Sequence, residues 1–427
     1  MKKILKWYKL DYSASYYPIL MTKNTQSIFR LSAVLKEKVD PAVLQSALCD
    51  IMPRFPSFSV RLRSGFFWYY FEENTKPLKV FEDDGILLSN IAVKKTKGYL
   101  FRVTYFERKV SLDIFHGITD GIGAMEFFKA LIARYLEKTG AQTGKDNIKD
   151  ITEPPKPEEL EDSFIKAYKP TKLKDINLKK IAGKPPLIIK GSRFKGQGYG
   201  TISGLMSLSE IKQKAKEAEA GITAFLCAHL AKAIIDTQKG ERKPVSIMVP
   251  VNLRPHFGSE TLKNFVLFVR LSVNADKNLN IGDIIKSFDK QLKAETAKEK
   301  LQEQINTTVK GSSLFVFKAL PLPLKHFFIR FGKLFYKSRQ SMIFSNLGNV
   351  KLPSGAEESV DRLLFNLNVS KHAPCNASAI SFNDKLVISF TRAIKETEVE
   401  RGFFTSLAKQ GINIKVSSNF REEQHVL

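Results

Sequence analysis

The feature that most constrains this fold is a break in the middle of the chain. Between Gly140 and Lys195 the apolar patterning lapses, and Pro154, Pro155, Pro157, Pro170, Pro185 and Pro186 stand among many charges. Proline breaks helix interiors, and so polar a stretch has little apolar surface to bury, so it reads as an extended crossover. Patterned segments flank it on both sides. We therefore expect two halves, 1–175 and 201–427, with the linker narrowed to 176–200. A chain of 427 residues is too long for one ordinary core and fits that division.

Each half mixes strand and helix periods. In the first, Ser27 to Leu35 reads as a strand, and Pro41 opens a helix with Val43, Leu44, Ala47, Leu48 and Ile51 on one face. Phe66 to Phe71 reads as a buried aromatic strand. Leu100–Phe106 and Val110–Phe115 form a hairpin turned at Glu107-Arg108-Lys109. After Gly121 the period changes, and Ile122, Met125, Phe128, Leu131, Ile132, Tyr135 and Leu136 trace a long amphipathic helix.

In the second half, helices are expected over Ser209–Ala218, over Thr223–Ile235 with Thr223 as N-cap, over Asp283–Leu301 with Asp283 as N-cap, and over Glu398–Lys409. Strands are expected over Val245–Val251, Phe265–Val273, Ser341–Phe344, Leu363–Val369, Ala377–Phe382 and Lys385–Arg392. Without strict βαβ alternation, this order gives an α/β (α+β) fold of mixed sheets with packed helices.

One short stretch concentrates chemistry. Inward Val110, Leu112 and Ile114 would deliver His116 at a strand end, and Gly117 and Gly121 would allow a sharp turn before the helix. A neutral imidazole there can take a proton from a hydroxyl, amine or thiol. Asp120 can cap the following helix or pair with a distant arginine. By itself the motif reads equally well as a satisfied turn histidine beside an N-cap.

The run His116-Gly117-Ile118-Thr119-Asp120-Gly121 resembles the HxxxDG region of the chloramphenicol-acetyltransferase-like superfamily, and most nearly its bacterial alcohol-acetyltransferase-like branch. Further landmarks follow the same order. Val249-Pro250-Val251-Asn252-Leu253-Arg254-Pro255, with Thr261 to Phe265 after it, looks like that group's second-half strand and arginine. Ser345-Asn346-Leu347-Gly348 looks like its SN-x-G segment, and Tyr12 to Ser15 and Pro53 to Pro56 sit where such chains begin. Condensation domains and wax synthases usually carry two adjacent histidines. Here Phe115 precedes His116, which weakens the condensation-domain reading.

The resemblance implies two chloramphenicol-acetyltransferase-like halves meeting along a central tunnel, with His116 as catalytic base at its middle. An acyl thioester, acyl-CoA or an acyl carrier protein, would enter from one face and an alcohol or amine from the other. Acyl-CoA would be a co-substrate, with no bound cofactor and no metal. Asp120 would pair with Arg254, an arginine that could equally be an ordinary surface residue, and Gly121 would serve backbone geometry. Ser345 and Asn346 would be the polar groups facing the developing oxyanion, or else simply a turn closing a strand.

Charge bears on partners. The chain has 68 Lys+Arg against 43 Asp+Glu, a formal +25. Such a field favours anionic partners, or is a lysine-rich solvated surface. No nucleic-acid-binding signature accompanies it, so nucleic acid is not expected, although a basic docking or nucleic-acid-binding protein is the leading non-enzymatic alternative. Lys310 to Ser345 has basic but no acidic residues, and Phe327, Phe328, Phe331, Leu334 and Phe335 share a face away from Lys325, Arg330, Lys333 and Lys337. That suits peripheral contact with an anionic membrane, a core-facing helix or a tunnel lid. The three cysteines, Cys49, Cys227 and Cys375, have no ligand or disulfide spacing. The basic start lacks a signal-peptide apolar run, so a cytoplasmic protein is expected, and a monomer because one chain supplies both halves.

Overall fold

Two mixed sheets carry the architecture. A computed structural model describes residues 5–21, 27–170, 185–194, 198–237, 243–275, 279–312, 320–335, 340–370 and 373–419. The five-stranded sheet runs in the order Val360–Asn366, Ile28–Leu35, Lys109–Phe115, Phe101–Phe106, Val80–Glu82. Ile28–Leu35 is buried along its whole length because it is paired on both edges and covered on both faces. The hairpin turns where expected, with Glu107 in the left-handed region at φ 49. Its outermost strand, Val360–Asn366, comes from the second half of the sequence, so a strand crosses from one half to complete the sheet of the other.

This sheet contains an internal charge cluster. Arg30 lies opposite Asp113 in register and donates to its two carboxylate oxygens at 2.7 and 2.8 Å, while Arg102 adds a 2.7 Å bond. Burial pushes the Asp113 carboxyl up, but the guanidinium of Arg30 outweighs it and holds the group below the usual carboxylate range.

The seven-stranded sheet runs Val266–Val273, Val245–Asn252, Met342–Val350, Cys375–Phe382, Lys385–Arg392, Gly200–Ser207, Lys415–Ser418. Met342–Val350 is parallel to both of its neighbours, and the other pairings are antiparallel. Ile222–Thr237 packs on this sheet between Glu398–Ala408 and Ile281–Glu295. Pro41–Ile51, capped by the Asp40 side chain, packs against Gly121–Lys138 on the first sheet. A small third sheet joins Trp7–Lys9, Tyr69–Glu73 and Val60–Ser64.

Several expectations change. Phe66, Phe67 and Trp68 are not a buried strand but the exposed turn between Val60–Ser64 and Tyr69–Glu73. Their aromatic density reflects a surface, which hydropathy cannot distinguish from a core strand. The single helix over Asp283–Leu301 is two, Ile281–Glu295 and Lys298–Ser312, and the first is capped by Asn280 rather than Asp283. Thr223 lies inside its helix, not at the cap. In Leu322–Phe335, Phe327 and Phe328 are exposed and Lys325 is wholly buried, so Lys325 is not on a solvated basic side. Lys337, and linker positions 176–184 and 195–197, lie outside the described residues. Among the described residues no single helix is long and apolar enough to cross a membrane.

Candidate active site

The loop that follows the hairpin is pinned to the second half by backbone contacts. Thr119 Oγ1 donates to the Leu262 carbonyl at 2.6 Å. Gly123 is a glycine because a Cβ there would sit 2.1 Å from the Leu262 oxygen. This approach draws the segment Thr261–Phe265 across the seam between the halves. It also sets Asn264 beside His116.

His116 Nδ1 lies 2.9 Å from Asn264 Oδ1. An amide oxygen only accepts, so Nδ1 carries the proton and Nε2 keeps its lone pair. The Asn264 amide is itself oriented, since its Nδ2 donates to Asp11 Oδ2 at 3.3 Å. Tyr17 stacks on the imidazole with ring centroids 4.7 Å apart, and Phe29 meets it edge-on at 5.1 Å. Burial lowers the His116 pKa below that of an ordinary histidine, partly opposed by the Asp120 charge, so the ring is neutral at pH 7. Burial also pushes the Asp11 carboxyl up to about 7.

Asp120 performs both roles open to it. Its Oδ1 accepts from the Ile122 and Gly123 amides, capping Gly121–Lys138. Arg254 grips the same carboxylate with two bonds of 3.0 Å, and the Phe265 amide adds a third donor from the second half at 2.8 Å. Arg254 also donates to the Thr261 and Lys263 carbonyls, both at 2.7 Å. It is buried, not a surface arginine, and its hydrogen-bonding capacity is spent on the seam. Gly121 does not need glycine for its φ. A Cβ there would come within 2.8 Å of the Leu347 side chain, so glycine provides room.

Ser345 and Asn346 belong to the strand Met342–Val350 and not to a turn beyond it. The strand bulges between Asn346 and Asn349, where Gly348 adopts φ 74. Asn346 Oδ1 accepts from the Gly348 amide, and its Nδ2 is directed to Thr223 Oγ1 at 3.3 Å. The Ser345 hydroxyl lines the cavity.

These residues surround a cavity of about 350 Å³, whose walls include His116, Asn264, Ser345, Asn346, Tyr17 and Phe29. The walls come from both halves. Asn264, Asp11, Tyr17 and Phe29 escaped the sequence reading, because nothing local distinguishes an asparagine 148 positions from its histidine. Among the described residues no group of three or more His, Cys, Asp or Glu side chains is placed to hold a metal ion.

A second cavity of about 820 Å³ lies behind the segment 11–17. Ser13 and Tyr17 line the first cavity, whereas Asp11, Tyr12, Ser15 and Tyr16 line the second.

No protein-family model matches the chain, and no curated protein matches its sequence. Solved structures do resemble it. Polyketide synthase associated protein 5 from Mycobacterium tuberculosis aligns with a TM-score of 0.60 at 14% identity, over 94% of this chain and 97% of that one. A trichothecene 15-O-acetyltransferase from Fusarium sporotrichioides aligns with a TM-score of 0.60 at 9% identity, over 94% and 93%. A variant of the starter condensation domain of rhizomide synthetase, in complex with C8-CoA, aligns with a TM-score of 0.58 at 13% identity, over 94% of each chain. The fold is thus the two-lobed one shared by such acetyltransferases and condensation domains, as the HxxxDG resemblance implied.

Proposed function

We propose that this protein transfers an acyl group from a thioester to a hydroxyl or amine, with His116 as general base. One observation carries the reading. In a cavity between the halves, His116 is neutral and its Nδ1 is held by Asn264, which reserves Nε2 for a proton.

The reaction then runs in one pocket. Nε2 takes the acceptor's proton as the acceptor oxygen or nitrogen bonds to the thioester carbonyl carbon. The tetrahedral intermediate collapses, the C–S bond breaks, and the imidazolium returns the proton to the departing thiolate. No acyl-enzyme forms. Ser345 Oγ and the Asn346 amide, whose Nδ2 carries two N–H donors, are the groups open to the oxyanion. Asp120 and Arg254 never meet substrate in this scheme and hold the two walls in register. An acyl-CoA is the favoured donor, since the condensation domain above is bound to C8-CoA and excess positive charge suits its phosphates. One chain supplies both walls, so we propose a monomer.

The test is thiol release from acetyl-CoA and longer acyl-CoA esters against a panel of alcohols and amines, for the native protein and His116→Ala. Acceptor-dependent release that falls by about 10²-fold or more in the variant is expected. Release that persists in a folded His116→Ala protein sinks the role of His116. Activity only with an acylated carrier protein would replace the donor and leave the base in place.

A further inference from the structure

We infer that the aromatic face formed by Trp7, the Phe66–Trp68 turn and the helix Leu322–Phe335 docks on an anionic lipid bilayer, with the mouth of the second cavity at the lipid interface. The face is one built unit. The Leu322 amide donates to the Phe66 carbonyl at 2.9 Å, and Lys325 Nζ donates to the Phe67 carbonyl at 2.8 Å. The same ammonium sits 3.2 Å from the centre of the Trp68 ring, and Tyr69 Oη lies 2.9 Å from His326 Nε2. These contacts fix the helix to the turn.

What remains outward is apolar. Phe66 is 70% exposed, Trp7 64%, Phe327 61% and Phe328 55%. Burying such side chains is favourable, so a cluster of them marks a surface that is covered in use. Trp7 and the Phe66–Trp68 turn also line the second cavity, so its opening lies within this face.

Charge selects the occupant. Lys6 and Lys9, both exposed, flank Trp7 and Tyr8, and the sequence of the helix Leu322–Phe335 contains no acidic residue. The nearby Glu72 is neutralised by Arg61 and Arg63. Tryptophan and phenylalanine beside exposed lysine is the composition of an interfacial surface, and exposed basic residues are drawn to an anionic leaflet. A second copy of this chain would bring its own basic excess against the same face, which opposes self-association there. If the acyl-transfer reading holds, a lipophilic acceptor would enter from the bilayer through the aromatic cavity. Docking itself does not depend on that reading.

The protein provides its own reporter. The chain has two tryptophans, Trp7 and Trp68, and both lie in this face. Intrinsic emission should therefore shift to the blue with vesicles of phosphatidylcholine and phosphatidylglycerol, and be quenched by brominated acyl chains. Phosphatidylcholine alone should give a weaker response. In Phe327→Ser/Phe328→Ser, which alters exposed positions outside the cavity, vesicle affinity should fall about tenfold or more. A urea unfolding midpoint equal to the native one checks that this variant folds. No spectral shift and no co-sedimentation with anionic vesicles at low salt would overturn the proposal. So would undiminished binding by the variant, or self-association of the native chain that the variant abolishes. None of these measurements uses a thioester, so they stand or fall apart from the catalytic assay.

Discussion

The two cavities on either side of the segment 11–17 are both mostly apolar and differ in how their polar groups are held. The first is small, about 350 Å³, and places His116 and Asn264 among well-held polar groups from both halves. The second is larger, about 820 Å³, and is walled by Trp7, Tyr16, Phe66 and Trp68, with Lys9, Asp11 and Asp162 among them. Proton transfer needs a few atoms fixed to a fraction of an ångström, which requires hydrogen bonds at every polar group. Admission of an apolar molecule needs surface and little fixed geometry. The contrast teaches that a single short segment can separate chemistry from selection, because Ser13 and Tyr17 face one space and Tyr12, Ser15 and Tyr16 the other.

If the first cavity depends on its seam, the largest effect should come from breaking that seam. Arg254→Met leaves the Asp120 carboxylate buried without its cation and should cost about 3–5 kcal/mol in urea unfolding, with loss of thiol release following from it. A cost under ~1 kcal/mol would show that the halves are held together elsewhere. Next, pH resolves whether Asn264 tunes the base. His116 titrates below the ordinary histidine value because burial disfavours its charged form, so its own protonation should lower kcat/KM only below about 6.5. The bond to Asn264 supports the imidazolium, so Asn264→Leu should move that acid limb to still lower pH. The plateau should also drop about tenfold as the tautomer is freed. A purely structural role for Asn264 would lower the plateau and leave the limb in place. The smallest effect should lie beside the second cavity, where Phe327→Ser/Phe328→Ser should change stability by no more than about 0.5 kcal/mol and leave thiol release with a water-soluble acceptor intact. A large loss of either would mean that the exposed aromatics support the first cavity after all.

The ease of reading the sequence followed the range of the interaction. The hairpin before His116 and the helix after it were legible because their periods, 2 and then 3.6, are carried by adjacent residues. Helix caps were less so. Asp283 and Thr223 are plausible caps by type, but Asn280 takes the first role, and Thr223 lies within its helix and faces Asn346. Capping depends on which residue leaves helical geometry, and several neighbours have the chemistry to do it. The aromatic run at Phe66–Trp68 misled for a different reason, since periodicity records how apolar a segment is and not whether anything covers it.

The sequence by itself determined the mixed α/β character, the two sheet-bearing regions and the placement of a histidine between strand and helix. These are encoded by neighbours in the chain, through backbone preference and side-chain alternation. Only the tertiary structure decided which distant groups surround that histidine. Asn264 and Tyr17 reach it from separate elements, Asp11 orients Asn264, and Val360–Asn366 crosses to the other half to complete the sheet beneath it. A long-range pair is selected by the packing of everything around it, as when Gly123 yields its Cβ so that Leu262 can approach. No local pattern records a contact whose energy is settled elsewhere in the fold.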